Sequence, residues 1–163
     1  MSDKTQDKPE VTPQQAENAI VGLFASVYPS LVQAITQKFG REAYELARNN
    51  FIDTMVENAK QAFPGPEKRT LKDFHEWLSA NICVGHQYKV DKLTESELQY
   101  TFTACPWADY FREVGEPEIG RFFCEVDEPM VKTFNGKVCF ERTKTLMDGD
   151  AICNHHYAIP EKV

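Results

Sequence analysis

The sequence contains none of the short motifs that announce the commoner catalytic chemistries. Gly-x-Ser-x-Gly, Gly-x-x-x-x-Gly-Lys-Ser/Thr, Gly-x-Gly-x-x-Gly and His-Glu-x-x-His are all absent, which removes the usual support for serine hydrolases, nucleotide-dependent enzymes and zinc peptidases. No Cys-x-x-Cys pair occurs, and no cysteine–histidine spacing matches a zinc finger. Positive charge is scarce. With 18 Lys and Arg against 25 Asp and Glu the net charge is −7, so neither nucleic acid nor an anionic membrane is expected as a partner. No run approaches the roughly 18 consecutive apolar residues of a membrane span. The polar start MSDKTQDKPEVTPQQ also lacks the apolar core of a secretion signal. These absences predict a soluble, cytoplasmic protein.

What is present is a foldable chain with an odd set of thiols. Its 163 residues suit one domain, and 42% hydrophobic with 12% aromatic content can fill a core. Five cysteines stand at Cys83, Cys105, Cys124, Cys139 and Cys153. An odd count in an apparently intracellular chain points to thiol chemistry, metal ligation or core packing rather than a disulfide framework.

Periodicity divides the chain. Residues 1–12 read as a flexible arm, and 13–163 as a single domain. Apolar residues Ile20, Phe24, Val27, Leu31, Ile35 and Phe39 recur at helical steps, with Pro29 expected to kink the helix or split it. A second helix carries Ala43, Leu46, Ala47, Phe51, Met55, Val56 and Ala59 up to the Pro-Gly-Pro at 64–66. Thr70 and Asp73 form a capping pair for a short helix over 71–80. The period then shifts to two. A strand is expected over 84–90, and a half-buried one through Leu98, Tyr100, Phe102 and Ala104. Pro106 opens a helix to about Val114, and a further helix from Pro117 toward Phe134 should be kinked or shortened at Pro129. Two final strands flank Asp148-Gly149, a strong signal for a two-residue hairpin loop. The fold class is α+β: N-terminal helices on an antiparallel sheet of about four strands, with two helices inserted between the two hairpins.

Three settings could carry chemistry. Cys105 precedes Pro106 and so occupies a helix N-cap, where free amides and the helix dipole favour a thiolate; the alternative is a cysteine packed as a small hydrophobe. On the next helix Asp127 falls at the margin of the apolar stripe of Ile119, Phe123 and Val126, one turn from Cys124. A carboxylate there requires a partner, which makes it a general acid/base, a metal ligand or half of an ion pair. If the hairpin is tight, Arg142 faces His155, Phe140 faces Tyr157, Lys144 faces Cys153, and Glu141 pairs with His156 on the opposite face. Whether the Arg142 face looks to the core or to solvent stays open.

Cys105-Pro106, RFFCEVDEPM (121–130) and FERTKTLMDGDAICNHHY (140–157) together resemble the L-2-amino-thiazoline-4-carboxylic acid hydrolase family. The Gly149-Asp150-x-x-Cys153 close is also similar to vinyl-reductase-type small-molecule-binding domains. Members often carry Asp-Phe after the last cysteine, where this chain has Asn154-His155. The resemblance implies a hydrolase that opens a cyclic amidine at a C–N bond to give a carbamoyl-cysteine on a route to L-cysteine. In that reading Cys105 or Cys124 is the nucleophile, Asp127 relays protons or holds the amidinium, and His155 is an acid/base. Arg142 clamps the substrate carboxylate, and Thr143, Lys144, Cys153 and Tyr157 complete the binding site. No cofactor is required. A variant has Cys124, Asp127, Cys153 and His155 holding a metal that activates water. A different class, a module that binds a small ligand without turnover, is the alternative. The partner is a small molecule either way, and self-association into a homo-oligomer is left open.

Overall fold

The computed structural model describes residues 11–160. Most of the expected arm, residues 1–10, lies outside the described residues. The chain forms helices α1 (Pro13–Phe39), α2 (Arg41–Ala62) and α3 (Leu71–Asn81), then strands β1 (Gln87–Leu93) and β2 (Glu97–Ala104). Helices α4 (Pro106–Glu113), α5 (Pro117–Glu125) and α6 (Asp127–Phe134) follow, and β3 (Cys139–Arg142) and β4 (Cys153–Ala158) complete it. The sheet is antiparallel throughout in the order β1-β2-β4-β3. One face carries Leu98, Tyr100, Phe102, Cys153 and Tyr157 into the core with the helices, while Thr103, Cys139 and Glu141 face outward. The class is the expected α+β.

Local chemistry explains most boundaries. Thr12 and Thr70 each close a capping box, with Gln15 and Asp73. Pro13, Pro106 and Pro117 each open a helix where a missing N–H costs nothing. Pro29 does not split α1, which runs through it with the proline buried. The strand expected over 84–90 begins only at Gln87, because Gly85 at φ +80 makes a turn closed by a bond from His86 N to Cys83 O.

The core side of α1 differs from the periodic stripe. Val21, Ala25, Pro29 and Val32 are buried, whereas Ile20, Val27 and Leu31 are more than half exposed. Close approach decides this. A Cβ at Gly22 would meet the Tyr110 ring of α4 at 3.2 Å, so the two helices meet there through a glycine, and the Phe24 ring next to it packs edge-on to Trp107 and Phe123. By length and composition α1 is also apolar enough to cross a membrane, with a window of mean hydropathy 1.6 of which 22% is buried. Counting consecutive apolar residues overlooked this, because Ser, Thr and Gln interrupt the run without adding charge.

Two further differences shape the site. The segment 117–134 breaks at Val126, three residues before Pro129, and makes three helices between β2 and β3 instead of two. A proline at position 129 clashes with the carbonyl four residues back, so continuity fails there and Pro129 instead sits in the first turn of α6. In the last hairpin Asp148 and Gly149 are not a two-residue loop. Residues 143–152 form a ten-residue connection containing a 3-10 turn, Leu146–Asp148, closed by Gly149 at φ +96. The pairing Phe140↔Tyr157, Glu141↔His156 and Arg142↔His155 is as expected, but Lys144 and Cys153 are not a ladder pair. Leu146 and Met147 are buried, and a straight ribbon would have left both at an exposed tip.

Candidate active site

The helix break and the hairpin place their side chains in one cavity of about 470 Å³. That volume is room for about 15 water molecules at ~30 Å³ each. Its walls are largely apolar and aromatic, which is the usual character of a small-molecule site. Cys105, Cys124, Asp127, Arg142, Cys153, His155 and Tyr157 all line it. The Arg142 face of the ribbon is therefore the inner one. Thr143 and Lys144 are not brought in: both are exposed in the 143–152 connection, where their amides donate to Asn154 Oδ1 at 3.1 and 2.7 Å.

Arg142 bridges the helix break. Its Nη1 donates to Asp127 Oδ2 at 2.5 Å and its Nη2 to the Cys124 carbonyl at 3.1 Å. One guanidinium thus satisfies a carbonyl at the end of α5 and the carboxylate that starts α6. The pair is well buried, with side chains 17% and 19% exposed. Desolvation outweighs the ion pair and pushes Asp127 up to about 6. Burial works against the Arg142 charge too, but Asp127 and the adjacent thiols raise its pKa overall, so it stays a cation.

His155 lies beside this pair. Its Nε2 is 3.9 Å from Asp127 Oδ2, and its Nδ1 shares a 3.1 Å hydrogen bond with Tyr157 Oη. Burial, then the Arg142 charge, hold the imidazole down to about 3, so it is neutral near pH 7. Burial keeps Tyr157 protonated as well.

The cysteines differ from each other. Cys105 is the N-cap residue of α4, but burial pushes its thiol up to about 12 against the amides of Ala108 and Trp107. Cys124 is also held at about 12, by burial and then by Asp127. The helix start does not make a thiolate, because desolvation exceeds the dipole. Thr145 Oγ1 sits 3.8 Å from Cys124 Sγ and 3.6 Å from Cys153 Sγ, and Leu146 N donates to Cys153 Sγ at 3.0 Å. Cys83, with no special setting in the sequence, is buried in the cavity wall, while Cys139 is exposed on the outer sheet face.

Among the described residues no three His, Cys, Asp or Glu side chains converge as metal ligands. Cys124, Asp127, Cys153 and His155 share a wall without forming such a cluster. Arg142 occupies the Asp127 carboxylate, and Thr145 and Leu146 engage Cys153.

Glu17, Trp77, Cys83 and His86 also line the wall, and no motif or spacing marked them as site residues. Cys83 and His86 share the turn before β1, while Glu17 and Trp77 come from α1 and α3. Thr145 was within reach, since it belongs to the Arg-Thr-x-Thr segment.

A family model described as L-2-amino-thiazoline-4-carboxylic acid hydrolase matches residues 22–157. No curated protein matches the chain. A crystal structure of a trafficking protein particle complex subunit 3 from Naegleria fowleri, covalently bound to palmitic acid, is similar in fold. It superposes with a TM-score of 0.54 at 15% identity, covering 88% of this chain and 97% of that one.

Proposed function

Because the chain belongs to the L-2-amino-thiazoline-4-carboxylic acid hydrolase family, we propose that it hydrolyses a C–N bond of a small cyclic amidine that carries a carboxylate. The observation that supports this most is Asp127: a carboxyl held near 6, next to a permanent cation and a neutral imidazole in a largely apolar cavity. A general base works best when it titrates near the working pH. Asp127 takes a proton from water as the water oxygen bonds to the amidine carbon. The ring nitrogen takes that proton from Asp127 and a second one from the tetrahedral hydroxyl as the C=O of a carbamoyl product forms, so that it departs as an amine when the ring C–N bond breaks. Arg142 uses one N–H on Asp127 and one on the Cys124 carbonyl, leaving others for the substrate carboxylate. His155 and Tyr157 hold the neighbouring hydrogen bonds. With Cys105 and Cys124 both held at about 12, water is favoured over a thiol as the attacking group, and the cysteines shape the wall.

Turnover of 2-aminothiazoline-4-carboxylate tests the reading. The parent chain turns it over, Asp127→Asn lowers kcat by about 10²–10⁴-fold, and Cys124→Ser stays within about tenfold of the parent. Parental turnover in Asp127→Asn would sink the proposal, and collapse in Cys124→Ser would return the role to the thiol. This chemistry needs no cofactor, so untagged protein should be fully active at well below one metal per chain.

The cavity supports a second reading. It is much larger than a single five-membered ring with its carboxylate, and its walls are mostly apolar, as in a module that holds a ligand without turnover. The similarly folded subunit 3 from Naegleria fowleri is covalently bound to palmitic acid. In that case substitutions at Asp127 change ligand affinity and there is no turnover to lose.

A further inference from the structure

Three buried polar atoms among the described residues lack a hydrogen-bond partner: Glu17 Oε2, Trp77 Nε1 and His86 Nδ1. All three residues line the same cavity. Buried polar groups are nearly always paired, so three orphans around one space mark something the space is built to receive. They come from three elements: Glu17 from the second turn of α1, Trp77 from α3, and His86 from the turn before β1.

The trio is held in place. Trp77 is 8% exposed, with its ring 4.7 Å from that of Phe63 and 6.2 Å from that of Phe74. Those contacts fix the direction of the indole N–H. Gly85, at φ +80, has no side chain, and a Cβ there would collide with the Glu17 carboxylate. The turn therefore leaves room for that carboxylate. The Phe102 ring packs against both imidazoles, 5.9 Å from His86 and 5.0 Å from His155.

We propose that Glu17, Trp77 and His86 form a second binding pole, which takes a neutral group that both donates and accepts hydrogen bonds, of carboxamide type, at the end of an apolar segment. The indole N–H can only donate, so the guest must accept there. The Glu17 carboxylate oxygen calls for a donor. A carboxamide supplies both from one carbon, whereas an ammonium leaves the indole unpaired and an alkyl end leaves all three atoms orphaned. Burial moves Glu17 upward and His86 downward, both toward their neutral forms, which suits an uncharged guest. The pole does not depend on the reaction at Asp127, and it accounts for the space that the ring and its carboxylate leave unfilled.

The test is calorimetric titration of the full chain with heptanamide and with octan-2-one, which has nearly the same shape but a methyl in place of the amide nitrogen. Heptanamide should bind at least tenfold more tightly. Trp77→Phe retains the aromatic packing and removes the N–H; Glu17→Leu, on a half-exposed helix turn, removes the carboxylate. Glu17→Leu should reduce the preference to below about threefold, whereas Trp77→Phe should weaken both probes alike by about fivefold or more, since each carries a carbonyl for the indole N–H, with melting temperature reporting that the fold is retained. Asp127→Asn should keep the full preference while losing turnover, which separates this pole from the hydrolytic one. Equal binding of the two probes by the parent overturns the proposal. So does a preference that survives Glu17→Leu, an affinity for both probes that Trp77→Phe leaves unchanged, or a preference that Asp127→Asn abolishes.

Discussion

Asp127 and His155 are 3.9 Å apart, and folding moves their proton affinities in opposite directions. His155 falls from 6.5 to about 3. Between those pH values the unfolded chain binds a proton that the folded chain refuses, so this contribution to stability declines as pH falls. Asp127 rises from 3.8 to about 6, so the folded chain holds the extra proton between those values and its contribution grows as pH falls. Across the shared window the two offset each other. Urea denaturation at pH 7 and pH 5 should show His155→Asn gaining stability on acidification relative to the parent, and Asp127→Asn losing it. Identical pH dependence in all three proteins would refute the assignment. Arg142 is the third member. Removing one partner of a buried pair costs about 3–5 kcal/mol, so Arg142→Met should destabilise by about 3 kcal/mol, and the double variant with Asp127→Asn should recover most of that. In the proposed reaction the base must be ionised, so kcat/KM should decline as pH falls through about 6. A limb with no inflection there would remove Asp127 from the role of base.

Elements carry the site through their ends rather than their middles. At the α5–α6 break Val126 keeps helical angles, and Asp127, the first residue of α6, accepts from Arg142. Gly120 on α5 packs so closely that a Cβ would meet Met147 Sδ at 2.5 Å and Phe111 Cβ at 2.8 Å. Gly120→Val should therefore cost about 1–3 kcal/mol, read as a lower denaturation midpoint, by forcing α5 away from α4 and the 3-10 turn. The Thr70–Asp73 capping box holds the start of α3, the helix that presents Trp77. Thr70→Ala should cost about 1 kcal/mol. By contrast Leu23, exposed on α1, should tolerate Gln within about 0.5 kcal/mol. The same elements show what could be read in advance. Caps, helix-opening prolines and the β3–β4 register depend on neighbours in sequence and were legible. The path of 143–152 was not, because burial of Leu146 and Met147 overrode the Asp-Gly turn preference.

At the scale of the whole molecule, the cavity lies between the N-terminal helices, the inserted helices and the inner face of the sheet. Burial there suppresses thiol reactivity. Native alkylation followed by mass spectrometry should modify Cys139 first, with Cys83, Cys105 and Cys124 far behind, since all three are held at about 12. Fast labelling of Cys105 or Cys124 near neutral pH would contradict this picture.

Features that depend on a few neighbouring residues were determined by the sequence alone. These are the two periodicities, the capping boxes, the β3–β4 register, and the motif residues around Cys105, Cys124, Asp127 and Arg142. Tertiary structure decided what depends on distance through space. It selected which face of α1 is buried, through the close approach of Gly22 to Tyr110 and the packing of Phe24 on Trp107 and Phe123. It paired Asp127 with Arg142, and it left Cys105 a neutral thiol, because desolvation is a property of the surroundings and not of spacing. It also brought Glu17, Trp77 and His86 to one wall, though nothing in the order of the chain connects them.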